Sequence, residues 1–262
     1  PVSEIFVHDS TIYYEAFHYY SPDSSGNYFF RIDSLGNNIE SFKAIDFYDS
    51  YNLKIEFSSN DEILSNGLAL KGNSFGLSRY NINGELDESF MPEIGSIGSY
   101  EIGSYYNGKL VISGDFLRIG DQKSCKLAMI NEDGSVSSNF VFDESFTSNA
   151  SNRKPSQIKF LNDTTIYVSL GNELVKLNNK GEVYAEFSRQ GITDPEWFVS
   201  QFKILENNKI VTASPNGVFM LNADGSKDDN FNIPNFNGAG STFGIGTLSS
   251  GILYHSYFTE VN

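Results

Sequence analysis

The chain has 262 residues, with 18 Lys plus Arg against 33 Asp plus Glu for a net charge of −15, and 39% of it is apolar. That balance argues against electrostatic binding to nucleic acid or to anionic lipid, and no run approaches the roughly 18 apolar residues of a membrane span. A single cysteine, Cys125, rules out an intrachain disulfide and reads as a small strand residue, because no His or Lys cluster lies beside it to activate the thiol.

In chain order, the first element is a turn at Asp9-Ser10 followed by the β-favouring run Thr11-Ile12-Tyr13-Tyr14. The run Phe29-Phe30-Arg31-Ile32 then leads into the phrase Ile32-Asp33-Ser34-Leu35-Gly36, with Phe42 six residues beyond the glycine. The same two-part pattern returns. Leu53, Ile55 and Phe57 alternate with Lys54 and Glu56 before the turn Asn60-Asp61-Glu62-Ile63, and Tyr80-Asn81-Ile82-Asn83-Gly84 follows with Phe90. Asn107-Gly108 precedes Lys109-Leu110-Val111-Ile112, and Leu127-Ala128-Met129-Ile130 opens into Asn131-Glu132-Asp133-Gly134 with Phe140.

Ile158 and Phe160 alternate with Gln157 and Lys159 before Asn162-Asp163-Thr164-Thr165-Ile166-Tyr167-Val168; then Leu174-Val175-Lys176-Leu177 leads to Asn178-Asn179-Lys180-Gly181 with Phe187. Asn207-Asn208-Lys209-Ile210-Val211 and Val218-Phe219-Met220-Leu221 lead in turn to Asn222-Ala223-Asp224-Gly225 with Phe231. A last turn and run, Ser249-Ser250-Gly251-Ile252-Leu253-Tyr254, has no copy of the phrase after it.

The five phrase glycines are 48, 50, 47 and 44 residues apart, and self-similarity at that period marks a repeat architecture. An Asn or Asp opening the phrase can bond its side chain to the backbone two residues on, while Gly takes the left-handed conformation that side chains resist. Asn-x-Asp-Gly is therefore the signature of a type I turn closed by a Gly bulge. The polar stretch after each glycine is expected to be an outer strand held by its one Phe, whose burial contributes about 1.5–3 kcal/mol.

Each repeat then holds four strands, a to d, ordered a, turn, b, loop, c, phrase turn, d. Strands of about five to six residues with short connections need roughly 40–45 residues, and a four-stranded unit of that size is a β-propeller blade. The sequence predicts an all-β propeller forming a single domain over 1–262. Its units run roughly 1–48, 49–97, 98–152, 153–197, 198–240 and a partial 241–262, with five or seven blades as alternatives. Because the chain opens on Pro1 rather than Met and its sixth unit lacks a phrase, it is expected to be a processed form or a piece of a longer chain.

The residues also carry a family resemblance. Asn131-Glu132-Asp133-Gly134-Ser135 with Phe140, preceded by Asn107-Gly108-Lys109-Leu110-Val111-Ile112-Ser113-Gly114-Asp115-Phe116, resembles the bacterial delta-sixty β-propeller repeat; Tyr80 through Phe90 is similar. The first and fourth units have drifted, with Asn37-Asn38 after Gly36 and Glu182 after Gly181. The resemblance implies a secreted or cell-surface bacterial propeller from a family without an established activity, and it brings no catalytic set.

Motifs that would carry chemistry are few. Gly72-Asn73-Ser74-Phe75-Gly76 has the spacing of a nucleophile elbow, but that motif needs a strand-to-helix turn and this copy falls in an expected b–c loop. Gly238 through Gly246 lacks the Gly-Lys-Ser/Thr ending of a phosphate loop. His8, beside an a–b turn, and His18, in a b–c loop, are expected at opposite ends of a blade, so no metal and no cofactor is anticipated.

Antiparallel succession puts the b–c and d–a connections at one end of the sheets and the Asn-rich turns at the other. The first end collects acids, among them Asp46, Asp49, Asp115, Asp121, Asp143, Glu144, Asp194 and Glu196. It also collects aromatics that loop composition does not explain, and flat rings on a rigid scaffold are a binding signature. The candidate binding residues are Tyr19, Tyr20, Tyr48, Tyr51, Asp115, Asp194, Glu196, Trp197 and Phe236. Two function classes follow: a non-catalytic extracellular module binding a protein or glycan through this end, as a monomer or as part of a larger chain, or a carbohydrate-active enzyme using paired carboxylates near the channel mouth.

Overall fold

The computed structural model describes residues 2–18, 26–47, 54–66, 77–90, 92, 94–120, 122–143, 155–170, 173–188, 201–214, 217–231, 242–248 and 251–256. Within them, hydrogen-bonded strands form small sheets in strict chain order. The first sheet is β1 (Val2–His8), β2 (Thr11–His18), β3 (Gly26–Ile32) and β4 (Ile45–Phe47). The second is β5 (Ile55–Phe57), β6 (Ile63–Ser65) and β7 (Ser78–Tyr80), and the third is β8 (Ile94–Tyr106), β9 (Lys109–Ile119) and β10 (Gln122–Asn131). The fourth is β11 (Pro155–Asn162), β12 (Thr165–Leu170) and β13 (Glu173–Asn178). The fifth is β14 (Gln201–Ile204), β15 (Ile210–Ser214) and β16 (Gly217–Leu221), followed by the hairpin β17 (Thr242–Leu248) and β18 (Gly251–Ser256). The only helix among the described residues is the single turn α1 (Ala185–Ser188). The protein is thus all-β, made of small antiparallel sheets of the kind propellers use.

Contacts divide the chain into two compact units, Pro1–Ser124 with Ala128–Ser138, and Cys125–Leu127 with Asn139–Asn262. Each has a core built in the same way. Residues paired across antiparallel strands point to the same side of a sheet. In the first unit, Phe6, Tyr13 and Phe29 on one side of the first sheet meet Ile55, Phe57, Ile63 and Tyr80 on the facing side of the second. The second unit repeats the arrangement: Tyr167, Leu174 and Phe187 of the fourth repeat meet Phe202, Ile204, Ile210 and Leu221 of the fifth. Aromatic rings supply much of both contacts, with Tyr13 lying 4.9 Å from Phe57 and Tyr167 6.4 Å from Phe202 between centroids.

The phrase folds as its residues dictate. In each of the five copies the Gly N–H donates to the Asx carbonyl three residues back, and the Asx N–H donates to the carbonyl after the Gly, as in Gly84 to Asn81 and Asn81 to Glu85, both at 2.9 Å. All five glycines have positive φ, from 78° at Gly84 to 91° at Gly225. The same bulged turn recurs at a–b connections with Asp61 and Asn208 in the left-handed position, each at φ 60°. Asp and Asn tolerate that region better than other side chains do.

The expected outer strand is corrected. Only the first repeat has a fourth strand among the described residues, namely β4; elsewhere a single bridge such as Tyr80 to Leu86 or Ile130 to Val136 is followed by a tight turn. In that turn the Phe N–H donates to the carbonyl three residues back, as Phe90 does to Asp87 and Phe231 to Asp228. The Asp87 and Asp228 carboxylates accept the N–H groups of Ser89 and Asn230, which holds the chain curled where extension was expected. The Phe is swung inward all the same, and Phe90, Phe140 and Phe187 are buried. Two loop assignments change as well: His18 ends β2, and Asp46 belongs to β4, where burial pushes the Asp46 carboxyl up against the opposing effect of a hydrogen bond from Tyr28.

Candidate functional site

Of the nine candidate binding residues, Tyr19, Tyr20, Tyr48, Tyr51, Asp194, Glu196, Trp197 and Phe236 lie outside the described residues. The same holds for Asp49, Asp121, Glu144 and the Gly72–Gly76 motif. Asp115 was expected in a b–c loop and lies instead within β9, between the pairs Gly114 to Tyr100 and Phe116 to Ser96. Strands β8 and β9 run on past the point where the shorter hairpins end, and they absorb the mismatch in a register shift between Ser96 and Tyr100.

The Asn-rich end of the sheets is described in detail, and here polar chemistry serves structure. The Asn131 amide donates to Ser135 Oγ at 2.9 Å while Asp133 accepts both the Ser135 N–H and its hydroxyl. Asn222, Asp224 and Ser226 copy this arrangement. Where the residue after Gly is Glu, its carboxylate takes the Asn amide instead, as Glu85 does from Asn81 and Glu182 from Asn178. The drift in the fourth repeat is therefore a substitution of one acceptor for another. These bonds hold carboxyls below their usual range: Asp133 through Ser135, Asp224 through Ser226, and Asp87 through Ser89 with Arg79 behind it.

Bonds also tie the second, third and fourth turns to the repeat before them. The Lys43 N–H, just after Phe42, donates to the Asn83 carbonyl at 2.7 Å, and Val141, just after Phe140, donates likewise to Lys180 at 2.9 Å. Arg31 reaches the Ile82 carbonyl, and Arg79, paired with Asp87 and lying 4.7 Å from the Phe90 ring centroid, reaches the Glu132 carbonyl. The turn glycines are seated so closely that a Cβ on Gly84 would overlap the Lys43 carbonyl, and one on Gly225 the Phe187 carbonyl. Glycine here answers two demands, a left-handed backbone and the near approach of a neighbouring chain.

One grouping at this end was missed from sequence. His8, at the end of β1, points its Nε2 at Asp61 Oδ1 across 2.8 Å and lies 3.8 Å from Asp9 Oδ2; its ring stacks flat on Phe57 at 4.3 Å between centroids. One ligand atom from each of the three falls within 4.8 Å of the others. The set is capable of sharing a proton between imidazole and carboxylate or of offering three donors to a divalent cation. Its members come from a–b turns of successive repeats, 53 residues apart for His8 and Asp61, and only the repeat register could have paired them.

With this geometry in hand, the fold can be compared with solved structures. The extracellular domain of a hybrid two-component system from B. thetaiotaomicron matches at TM-score 0.55 and 17% identity, covering 98% of this chain and 32% of that one. PorZ, a bacterial surface component of the type-IX secretion system of Porphyromonas gingivalis, matches at TM-score 0.50 and 9% identity, covering 91% of this chain and 28% of that one. The chain thus spans about a third of the length of these two proteins. At such identities the likeness shows the fold alone. No protein-family model and no curated protein sequence matches. No helix among the described residues is long and apolar enough to cross a membrane.

Proposed function

We propose that this chain is a non-catalytic binding module of the delta-sixty propeller type, displayed outside the cell or on its surface, whose sheets are the blades of one domain with the sixth unit incomplete. The observation that carries this reading is the fold. Nearly the whole chain follows an extracellular domain and a surface component of a secretion apparatus.

The sheets support that reading physically. Their turn ends are stitched by repeated Asx and carboxylate bonds, leaving a stiff scaffold from which the opposite loops can present side chains. On this proposal Tyr19, Tyr20, Tyr48, Tyr51, Asp194, Glu196, Trp197 and Phe236 form the contact surface for a protein or glycan, with Asp115 at its edge. Trp197 is the sole tryptophan and reports on that end without labelling. Glycan and peptide arrays probed with the purified chain should yield a ligand that shifts Trp197 emission, and Trp197→Ala should weaken its binding by about 1–3 kcal/mol, the scale of an aromatic anchor. An emission unchanged by every bound ligand, with affinity untouched by the substitution, would remove this end from the binding reading.

A further inference from the structure

The first sheet has an apolar side that lies exposed at Ile5 and Val7. Its register places Ile5, Val7, Ile12, Tyr14, Phe30 and Ile32 together, since Ile5 pairs with Tyr14 and Tyr14 with Phe30, while Val7 pairs with Ile12 and Ile12 with Ile32. In the second sheet the row equivalent to Val7, Ile12 and Ile32 is Phe57, Ile63 and Tyr80; in the fifth it is Ile204, Ile210 and Leu221. Those rows lie under the preceding repeat, with Ile63 and Ile210 at 0% exposure, Tyr80 at 3% and Leu221 at 2%. In the first sheet Val7 is 71% exposed and Ile5 65%.

The turn beside that face tells the same story independently. A Cβ on Gly84, Gly181 or Gly225 would run into the backbone of the preceding repeat at its Phe, whereas one on Gly36 would meet nothing within 4 Å, although all four glycines share the same left-handed conformation. At the tip, where other copies carry Asn83, Asp133, Lys180 and Asp224, the first repeat carries Leu35, 85% exposed. The apolar Leu35 in that position and the exposed Ile5 and Val7 belong to the same repeat.

We propose that the Ile5, Val7, Ile12, Ile32 face of the first sheet, with the Gly36 turn, is a docking surface for one further repeat of this type, supplied by polypeptide outside residues 1–262. The occupant's chemistry is set by the two junctions seen within the chain. It brings an aromatic sheet side equivalent to Tyr13 and Phe29, or to Tyr167 and Phe187, and a phrase Phe whose following N–H donates to the Leu35 carbonyl as Lys43 does to Asn83. Large apolar side chains left in water together on one sheet are a recognised mark of an interaction surface.

The test places a thiol on the face. In a Cys125→Ala background, Val7→Cys and, as a second variant, Ile5→Cys are labelled with a maleimide in the full chain and in a chain carrying residues 155–200, with Tyr167 and Phe187, again ahead of Val2. Labelling close to the rate of a free thiol in the full chain, slowed at least tenfold by the added repeat, is the expected result. Slow labelling in the full chain at dilute concentration would mean that the chain covers its own face. Labelling that slows with protein concentration, together with a dimer mass by light scattering, would make a second copy the occupant. Equal rates with and without the added repeat would show that a repeat does not dock there; each of these three results overturns the proposal. The Trp197 experiment reads a different end of the sheets, so either reading can fail alone.

Discussion

At the scale of single residues, the phrase glycines separate two effects that usually travel together. Gly36 and Gly84 have φ of 85° and 78° in turns bonded alike, yet Gly36 stands in open space and Gly84 is pressed against the Lys43 carbonyl. Asn accepts the left-handed backbone, so replacing each glycine by Asn tests space rather than strain. Gly36→Asn is expected to change stability by no more than about 0.5 kcal/mol, the range of ordinary surface substitutions. Gly84→Asn should lose about 1–3 kcal/mol, as overpacking does, because a neighbouring backbone must move. Urea midpoints of the two variants check this, and equal midpoints would mean that the turns are not seated against the preceding repeat. The Asx and Gly positions were legible in the sequence because their backbone requirement is local; the seating was not, since nothing in Asn-x-Asp-Gly itself reveals what lies 2–4 Å beyond the glycine.

At the scale of the repeat, a basic residue two positions before the Asx links neighbouring elements. Arg79 holds Asp87, lies over the Phe90 ring and donates to the Glu132 carbonyl in the next turn, with its side chain only 13% exposed. Lys176, in the equivalent place, lies 5.3 Å from the Tyr184 ring centroid and 5.6 Å from that of Phe187. Arg79→Ala should cost about 1.5–3 kcal/mol by the scale of hydrogen bonds to charged groups. Arg79→Lys should recover little of it, because an ammonium cannot present the planar fork that meets Asp87 and a carbonyl at once. Full recovery by Lys in urea denaturation would show that charge alone matters at this position. Hairpins and the repeated unit were readable from alternation and turn chemistry, whereas the fourth strand was misjudged. A polar stretch ending in Phe has the same composition whether it is extended or curled, and only the bonds made by Asp87 and Asp228 decide for the curl.

At the scale of the whole chain, one repeat is laid down in tandem, with the Gly84, Gly181 and Gly225 turns pressed into the repeat before them and nothing within 4 Å of where a Cβ on Gly36 would stand. The tandem was legible from the spacing of five glycines. The exposure of Ile5 and Val7 was not, because they alternate as any buried sheet side does, and exposure is set by what the neighbouring repeat supplies. The loop end proposed for binding was legible only as composition; aromatics and acids in connecting segments carry no period to fix their positions, and Asp115 shows how a strand can run on through a stretch that reads as loop. The most direct measurement is native-state amide hydrogen exchange on the unmodified chain, resolved over the five phrase segments, since local opening follows how well a segment is packed. The prediction is that Tyr80–Phe90, Ile130–Phe140, Leu177–Phe187 and Leu221–Phe231 are protected together, while Ile32–Phe42 exchanges well ahead of them. Protection of Ile32–Phe42 equal to that of the other four would contradict the account, because the first turn would then be seated like the rest.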